Sequence, residues 1–262
     1  TAEASLANGN ARMFLHTRFE GQDLQQLKKG TSDAEKVTVS FYVKSNKTGT
    51  YILELEDKDN TRQISKTYTI NSANTWEQKI VTFEGDTTGA FDNDNANSCH
   101  LTWHLIAGTN YQSGTLNTSW ASQTHANRVV GNVNIGDSTD NTWEITGIQM
   151  EVGEVATPFE HRSFGEELQL CSRYFQKYTG EAQEWIYNEG NGAALKWWQI
   201  IYPNGTMRTS PSMSFSSGWT GGGAAGLGGT VNSMSCTTSP NRASCRVTFS
   251  STGGSAYNIH HC

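Results

Sequence analysis

The stretch GIQMEVGEVATPFEHRSFGEEL, residues 147–168, changes its period twice in a short space. Just upstream, Trp143 and Ile145 alternate with polar residues. From Gly147 the phase shifts so that Ile148, Met150 and Val152 alternate, the pattern of a bulge in a strand. Pro158 has no N–H to give a ladder and biases Thr157 towards an extended backbone, so the strand must stop there. Ser163 followed by Glu166 fits a capping box. Beyond it Leu168, Cys171 and Phe175, with Tyr174 and Tyr178 alongside, recur at helical spacing. The spacing predicts a helix over residues 164–178 that ends before Gly180. A first domain over 1–160, a connector helix within 161–179 and a smaller β domain over 180–262 follow from this joint.

Five glutamates gather here: Glu151, Glu154, Glu160, Glu166 and Glu167. A glycosidase needs two carboxylates facing one cleft, and this spacing does not provide them. The capping box accounts for Glu166, and the favourable field of a helix N-terminus for Glu167. Pro158, Ser163 and Glu166 are therefore assigned to a structural joint.

Upstream, Val37, Val39, Phe41 and Val43 alternate with polar residues, and Tyr51, Leu53 and Leu55 repeat the period. Two strands are predicted, paired as a hairpin through a turn carrying Asn46 and Gly49. Further strands are expected over 63–70 and 77–83. In SCHLTWHLIAG, 98–108, Leu101, Trp103 and Leu105 share one face and His100, Thr102, His104 and Ile106 the other, with either face able to meet the core. The Asn-, Ser-, Thr- and Gly-rich region 107–140 reads as a functional or loosely packed loop. Short strands with long polar connections and no helical period before residue 160 predict an all-β chain led by an antiparallel β-sandwich of jelly-roll type. In the C-terminal part ALKWWQIIYP (194–203) and CRVTFS (245–250) are strand-like, whereas GWTGGGAAGLGGT (218–230) is too rich in glycine for a regular element.

The 262 residues carry 26 Gly, four Pro, eight Trp and only 17% charged residues, a balance suited to strands and turns. A net charge of −6 with scattered Lys and Arg gives no footprint for nucleic acid or an anionic membrane. No apolar run reaches the roughly 18 to 20 residues that span a bilayer, so membrane insertion is not expected. The start, TAEASLANGN, lacks Met and a signal-like apolar core and reads as the middle of something, so the first domain is expected to be incomplete at its N-terminal side.

Few residues carry chemistry. The five Cys show no zinc spacing; Cys236 and Cys245 could close a small loop as a disulfide, with Cys262 an equal candidate for either. His100 and His104, four apart on a strand, are separated by about 13 Å and cannot share a zinc. In FDNDNANS, 91–98, Asp92 and Asp94 could hold Ca2+, with an ordinary Asx-rich turn as the preferred reading and no other cofactor in view. No nucleotide-binding or hydrolase signature occurs. A surplus of aromatics remains: Trp120 and Tyr111 in the polar region, Trp103 in its strand, the Trp197–Trp198 pair and Trp219. Sugars lay C–H faces on aromatic rings while amides and carboxylates take the hydroxyls, so Trp120, Tyr111 and Trp103 are candidate carbohydrate contacts. Packing against a neighbouring subunit stands level with that reading.

The run 145–178, with Gln149, Glu151 and Gly153, then Ala156 to Glu160, then Arg173, Tyr174 and Phe175, closely resembles a segment of bacteriophage tail-fibre and virion-appendage proteins, notably of marine phages. VTVSFYVKSNKTGTYILEL (37–55) and NTWEQKIVTFEGDTTG (74–89) are similar to the carbohydrate-binding-module-like jelly roll preceding it in those proteins, and MRTSP (207–211) to a motif of their C-terminal domains. The resemblance implies a non-enzymatic virion component: a homotrimeric fibre, spike or capsid decoration on the particle surface. It would contact other virion proteins and engage host-surface glycan for attachment. The family jelly roll begins with strands further upstream, a departure that implies either an incomplete first domain or another element that completes the sheet. Two other readings are carried: the carbohydrate-binding part of a secreted glycoside hydrolase or depolymerase, and a virion scaffold without a ligand.

Overall fold

The structure, a computed structural model, describes residues 8–176, 186–187, 194–201, 206–210, 212, 220–221, 229–240 and 242–251. The chain divides into two compact units, Thr1–Glu160 and His161–Cys262.

The first unit is built from β1 (Arg12–Glu20), a 3-10 turn at Gly21–Leu27, β2 (Val37–Ser45), β3 (Gly49–Asp57), β4 (Arg62–Ile70), β5 (Glu77–Phe83), β6 (Asn97–Ala107), the short helix α1 (Thr109–Gln112), β7 (Ala121–Ser122) and β8 (Trp143–Val152). They form two antiparallel sheets, one of five strands in the order β1-β6-β3-β4-β7 and one of three in the order β5-β2-β8. The sheets pack face to face as a sandwich. Val39, Phe41 and Val43 of β2 meet Tyr51 and Leu53 of β3, Ile64 and Ile70 of β4, and Leu101 and Trp103 of β6, all essentially without exposure. Phe41 sets its ring edge-on to Tyr68 at 5.1 Å and to Trp103 at 5.6 Å, the arrangement that aromatic quadrupoles favour. Each such side chain contributes about 1.5–3 kcal/mol by leaving water.

Two expectations change, and one strand is new. The strands at 37–45 and 49–57 are present but not paired with each other: β2 lies in the three-stranded sheet and β3 in the five-stranded one. The turn at Asn46–Gly49 is therefore an arch between sheets. Alternation marks which side of a strand is apolar and says nothing about which neighbour supplies its ladder. The region 107–140, read as a functional or loosely packed loop, is not loose: part of it lies against the outward side of the five-stranded sheet, where Val129 joins Ile52 and Ala107 in a second small core. And β1 went unread, although Arg12, Phe14, His16 and Arg18 alternate along it with Met13, Leu15 and Phe19. The five-stranded sheet is wider than its partner, and β1 at its edge keeps Met13 and Leu15 exposed.

The joint folds back on the strand it follows. Between Ser40 and Tyr42 of β2 the register of β8 slips, at Gly147, whose φ is +58°. Gly153 then turns the chain with φ +105°. Downstream, the Gln149 and Glu151 side chains clasp the returning segment. Glu151 accepts from the Thr157 N–H at 3.1 Å and from its hydroxyl at 2.5 Å. Gln149 donates to the Thr157 hydroxyl at 3.1 Å and accepts from the Glu160 N–H at 2.8 Å. The Q-x-E-x-G and ATPFE halves of the motif are thus two sides of one hydrogen-bonded unit.

In the second unit, α2 (Phe164–Ser172) begins with Ser163, whose hydroxyl accepts from the Glu166 N–H while its own N–H donates to the Glu166 carboxylate. The helix is shorter than the predicted 164–178, and residues 177 and 178 lie outside the described ones. Strands β9 (Ile186–Tyr187), β10 (Ala194–Ile201), β11 (Thr220–Gly221), β12 (Gly229–Ser239) and β13 (Arg242–Ser251) form an antiparallel sheet in the order β11-β12-β13-β10-β9. Its register sets Cys236 opposite Cys245. At Cys236, Cys245, Trp197 and Trp198 the backbone alone is described and Trp219 lies outside the described residues, so the expected disulfide and the exposure of these rings are beyond what is described.

A Cβ at Gly153 would meet nothing within 4 Å, so substitution there tests the backbone alone. Gly153→Ala should cost about 1–3 kcal/mol through its positive φ and lower the melting temperature by a few degrees in calorimetry. An unchanged melting temperature would show that the turn is not needed to seat the clasp.

Candidate ligand-binding face

Strand alternation gives the five-stranded sheet two very different sides. Tyr51, Leu53 and Leu55 of β3 enter the core, so Ile52, Glu54 and Glu56 must point the other way. Beside them β6 places His100, Thr102 and His104, and β1 places Phe14, His16 and Arg18, since His104 pairs in register with both Ile52 and Phe14.

Two carboxylates on a sheet face would be costly to bury unpaired. The covering segment supplies the answer in Arg128, which donates from Nε and Nη2 to both Glu54 oxygens at 2.9 and 2.8 Å, and from Nη2 to Glu56 at 3.0 Å. His104 Nε2 donates to Glu54 at 2.9 Å. Glu56 also accepts from Lys58 at 2.8 Å and from Gln123, and His100 stands 3.5 Å from it. Burial alone would raise both carboxyls. For Glu54 the His104 and Arg128 partners outweigh burial, and for Glu56 the His100, Arg128, Lys58 and Gln123 partners do, so both are held below the usual carboxylate range.

From this anchored network a strip of rings and cations runs along the exposed edge. Tyr111 of α1 meets His125 edge-on at 5.4 Å and lies under the Arg12 guanidinium at 4.3 Å. Arg12 also covers Phe14 at 5.3 Å. Phe14 adjoins His16 at 5.1 Å and His104 at 6.3 Å, and His16 adjoins His100 at 4.9 Å. Phe14 is 38% exposed although it is a large apolar ring in the middle of a strand. Burial, with His100 and Arg18 beside it, pushes the His16 imidazole below its ordinary value. Apolar ring faces and hydrogen-bonding groups thus alternate at strand spacing, a surface fitted to a ligand with both apolar and hydroxylated sides.

The sequence-predicted contacts fare unequally. Tyr111 stands on this strip. Trp103 is 1% exposed in the sandwich core, where no ligand can reach its ring, which corrects its candidacy as a sugar contact. Trp120 is at the opposite end of the strands, next to β7 and the Arg62 end of β4. Its indole N–H donates to the Glu84 carbonyl at 2.7 Å, and its ring lies 5.4 Å from the Lys29 ammonium. That ammonium is itself an internal cation, within 2.5 Å of Asp57, 3.2 Å of Asp86, 2.9 Å of the Thr88 carbonyl and 2.6 Å of the Gly89 carbonyl. Trp120 and Tyr111 therefore do not form one platform. The Asp94 carboxylate accepts from the Ala96 N–H at 2.8 Å, an Asx turn, and the Asp92 N–H donates to Asp59. Among the described residues no three His, Cys, Asp or Glu side chains gather in a way that could hold a metal ion.

Phe14, His16, Arg12 and Arg18 were not legible because the consecutive apolar residues Met13, Phe14 and Leu15 blur the two-residue period of their strand, and Glu54, Glu56 and Arg128 were not because a lone Arg in a polar loop carries no period. The signal for the second group was LELE in 53–56, two Glu at every other position of a strand too apolar to lie on the surface.

Arg128→Met should strand both carboxylates and cost about 3–5 kcal/mol in denaturant unfolding. Glu54 and Glu56 have folded pKa values below their unfolded ones, so their stabilisation is present above about pH 4 and is lost as pH falls. Removing Arg128 raises those folded values, and the acid-unfolding midpoint should move to higher pH; an unmoved midpoint would show that the ion network does not hold the segment. Comparison with protein families, with curated proteins and with solved structures finds no match to this chain.

Proposed function

We propose that this chain is a non-enzymatic structural component of a bacteriophage particle, a fibre, spike or decoration, whose first unit is a jelly-roll sandwich that holds host-surface glycan on the outward side of its five-stranded sheet. The observation that carries the glycan reading is the strip Tyr111–Arg12–Phe14–His16–His100, in which exposed rings alternate with hydrogen-bonding groups. The assignment to a particle rests on the resemblance of residues 145–178.

The carboxylates favour binding over hydrolysis. A glycosidase needs one carboxyl kept protonated by a raised pKa, and Glu54 and Glu56 are both lowered and bridged by a guanidinium. At the joint Glu151 is engaged by Thr157, Glu154 by Lys36, Glu166 by its helix cap and Glu167 by Arg162. Self-association into a trimer is supported by α2 and the residues after it, where Phe164, Leu168, Cys171 and Phe175 recur at alternating intervals of four and three and all are exposed. Three copies would turn weak single-site contacts into useful avidity.

Phe14→Ala and Tyr111→Ala should each weaken adsorption of the protein to host cells by roughly tenfold, the loss of one ring contact of about 1–2 kcal/mol. Both side chains are partly solvated, so circular dichroism and melting temperature should change little. Unchanged adsorption by the double variant would overturn the glycan site and leave a scaffold without a ligand.

A further inference from the structure

The same strip carries an excess of positive charge that the fold does not use. Glu54 and Glu56 are matched from within by Arg128, His104 and Lys58. Arg12 and Arg18, by contrast, make no ion pair with any described residue. Both are exposed in a chain whose net charge is −6. Between them on the same side of β1 lies His16, with His100 beside it. Six residue steps of strand separate Arg12 from Arg18, roughly 20 Å, so one sugar cannot meet both.

We propose that the ligand of this face is an acidic polysaccharide bearing repeated carboxylate or sulfate groups. Successive anions meet Arg12 and Arg18 while the sugar rings between them lie against Phe14 and Tyr111. This rests on the glycan reading of the preceding section and narrows it to one ligand class. Three features support it. The guanidinium fork fits the planar oxygen pair of a carboxylate or two oxygens of a sulfate. Arg12 is already held in place over two rings, so less freedom is lost when it binds. Glu54 and Glu56, beside the strip's histidines, are neutralised internally, so these two do not repel an approaching anion.

The test is titration of the full chain with three polymers: polygalacturonate, which carries carboxylates; heparin, which carries sulfates as well; and dextran, which is neutral. The variants are Arg12→Gln, Arg18→Gln and, as a charge control off the strip, Lys28→Gln, whose ammonium is already paired with Glu35. The wild-type chain should bind one or both acidic polymers and not dextran, with affinity falling as salt rises. Each Arg→Gln variant should bind roughly tenfold more weakly, the loss of one charge-assisted contact, with a shallower salt dependence. Lys28→Gln should match the wild type. Preference for polygalacturonate or for heparin separates carboxylate from sulfate recognition. Equal binding of dextran, or Arg variants indistinguishable from wild type, overturns the acidic ligand and leaves glycan binding standing. Binding of none of the three, together with unchanged host adsorption by the Phe14/Tyr111 double variant, overturns both.

Discussion

The contact between Arg128 and the two buried glutamates of β3 fastens the long segment after β6 onto the five-stranded sheet. A sheet face carrying Glu54 and Glu56 could stay in water, as polar sheet faces ordinarily do. Here a guanidinium carried by the long segment after β6 is drawn onto it instead. Once Arg128 is seated, Val129 falls against Ile52 and Ala107, and the Ser65 hydroxyl closes on the Arg128 carbonyl at 2.9 Å. Such an ion network need add little net stability over apolar side chains of the same shape. What it supplies is position, because one guanidinium meets both carboxylates at once.

That placement also decides what stays open. The segment covers the face over β3 and β4 and leaves the outward side of β1 uncovered. The ligand strip is therefore what remains of the sheet face once the covering segment has taken its share, framed by His104 and His100, which belong to both. The ion network does not touch the proposed ligand directly and still sets the floor on which Phe14 and His16 rest.

Much of the strand content was legible because apolar alternation is local. The strands at 63–70 and 77–83 fall within a residue of their predicted bounds, and the bulge at Gly147 was written in a phase shift. Strand partners were not legible. The arch at Asn46–Gly49 and a hairpin share the same turn chemistry, and the choice between them rests on which sheet buries which face, a long-range property. The candidate site was read least well. Tyr111 could be found as an aromatic in a polar region, but Trp103 offered the same local signal and lies in the core. Exposure separates the two, and exposure depends on strands far away in sequence. Cation and ring pairs such as Arg12 with Tyr111 join residues a hundred positions apart and leave no trace in either neighbourhood.

The clasp of Gln149 and Glu151 on Thr157–Glu160 has a mechanical meaning. A chain that left the sandwich straight from the end of β8 would pass tension directly to the backbone ladder that β8 shares with β2. Here a pull from residue 161 onwards first meets side-chain hydrogen bonds to Thr157 and Glu160. Where the chain leaves the first unit, the groups nearest residue 161 are therefore held by side-chain hydrogen bonds, and the β2–β8 backbone ladder lies one step further in.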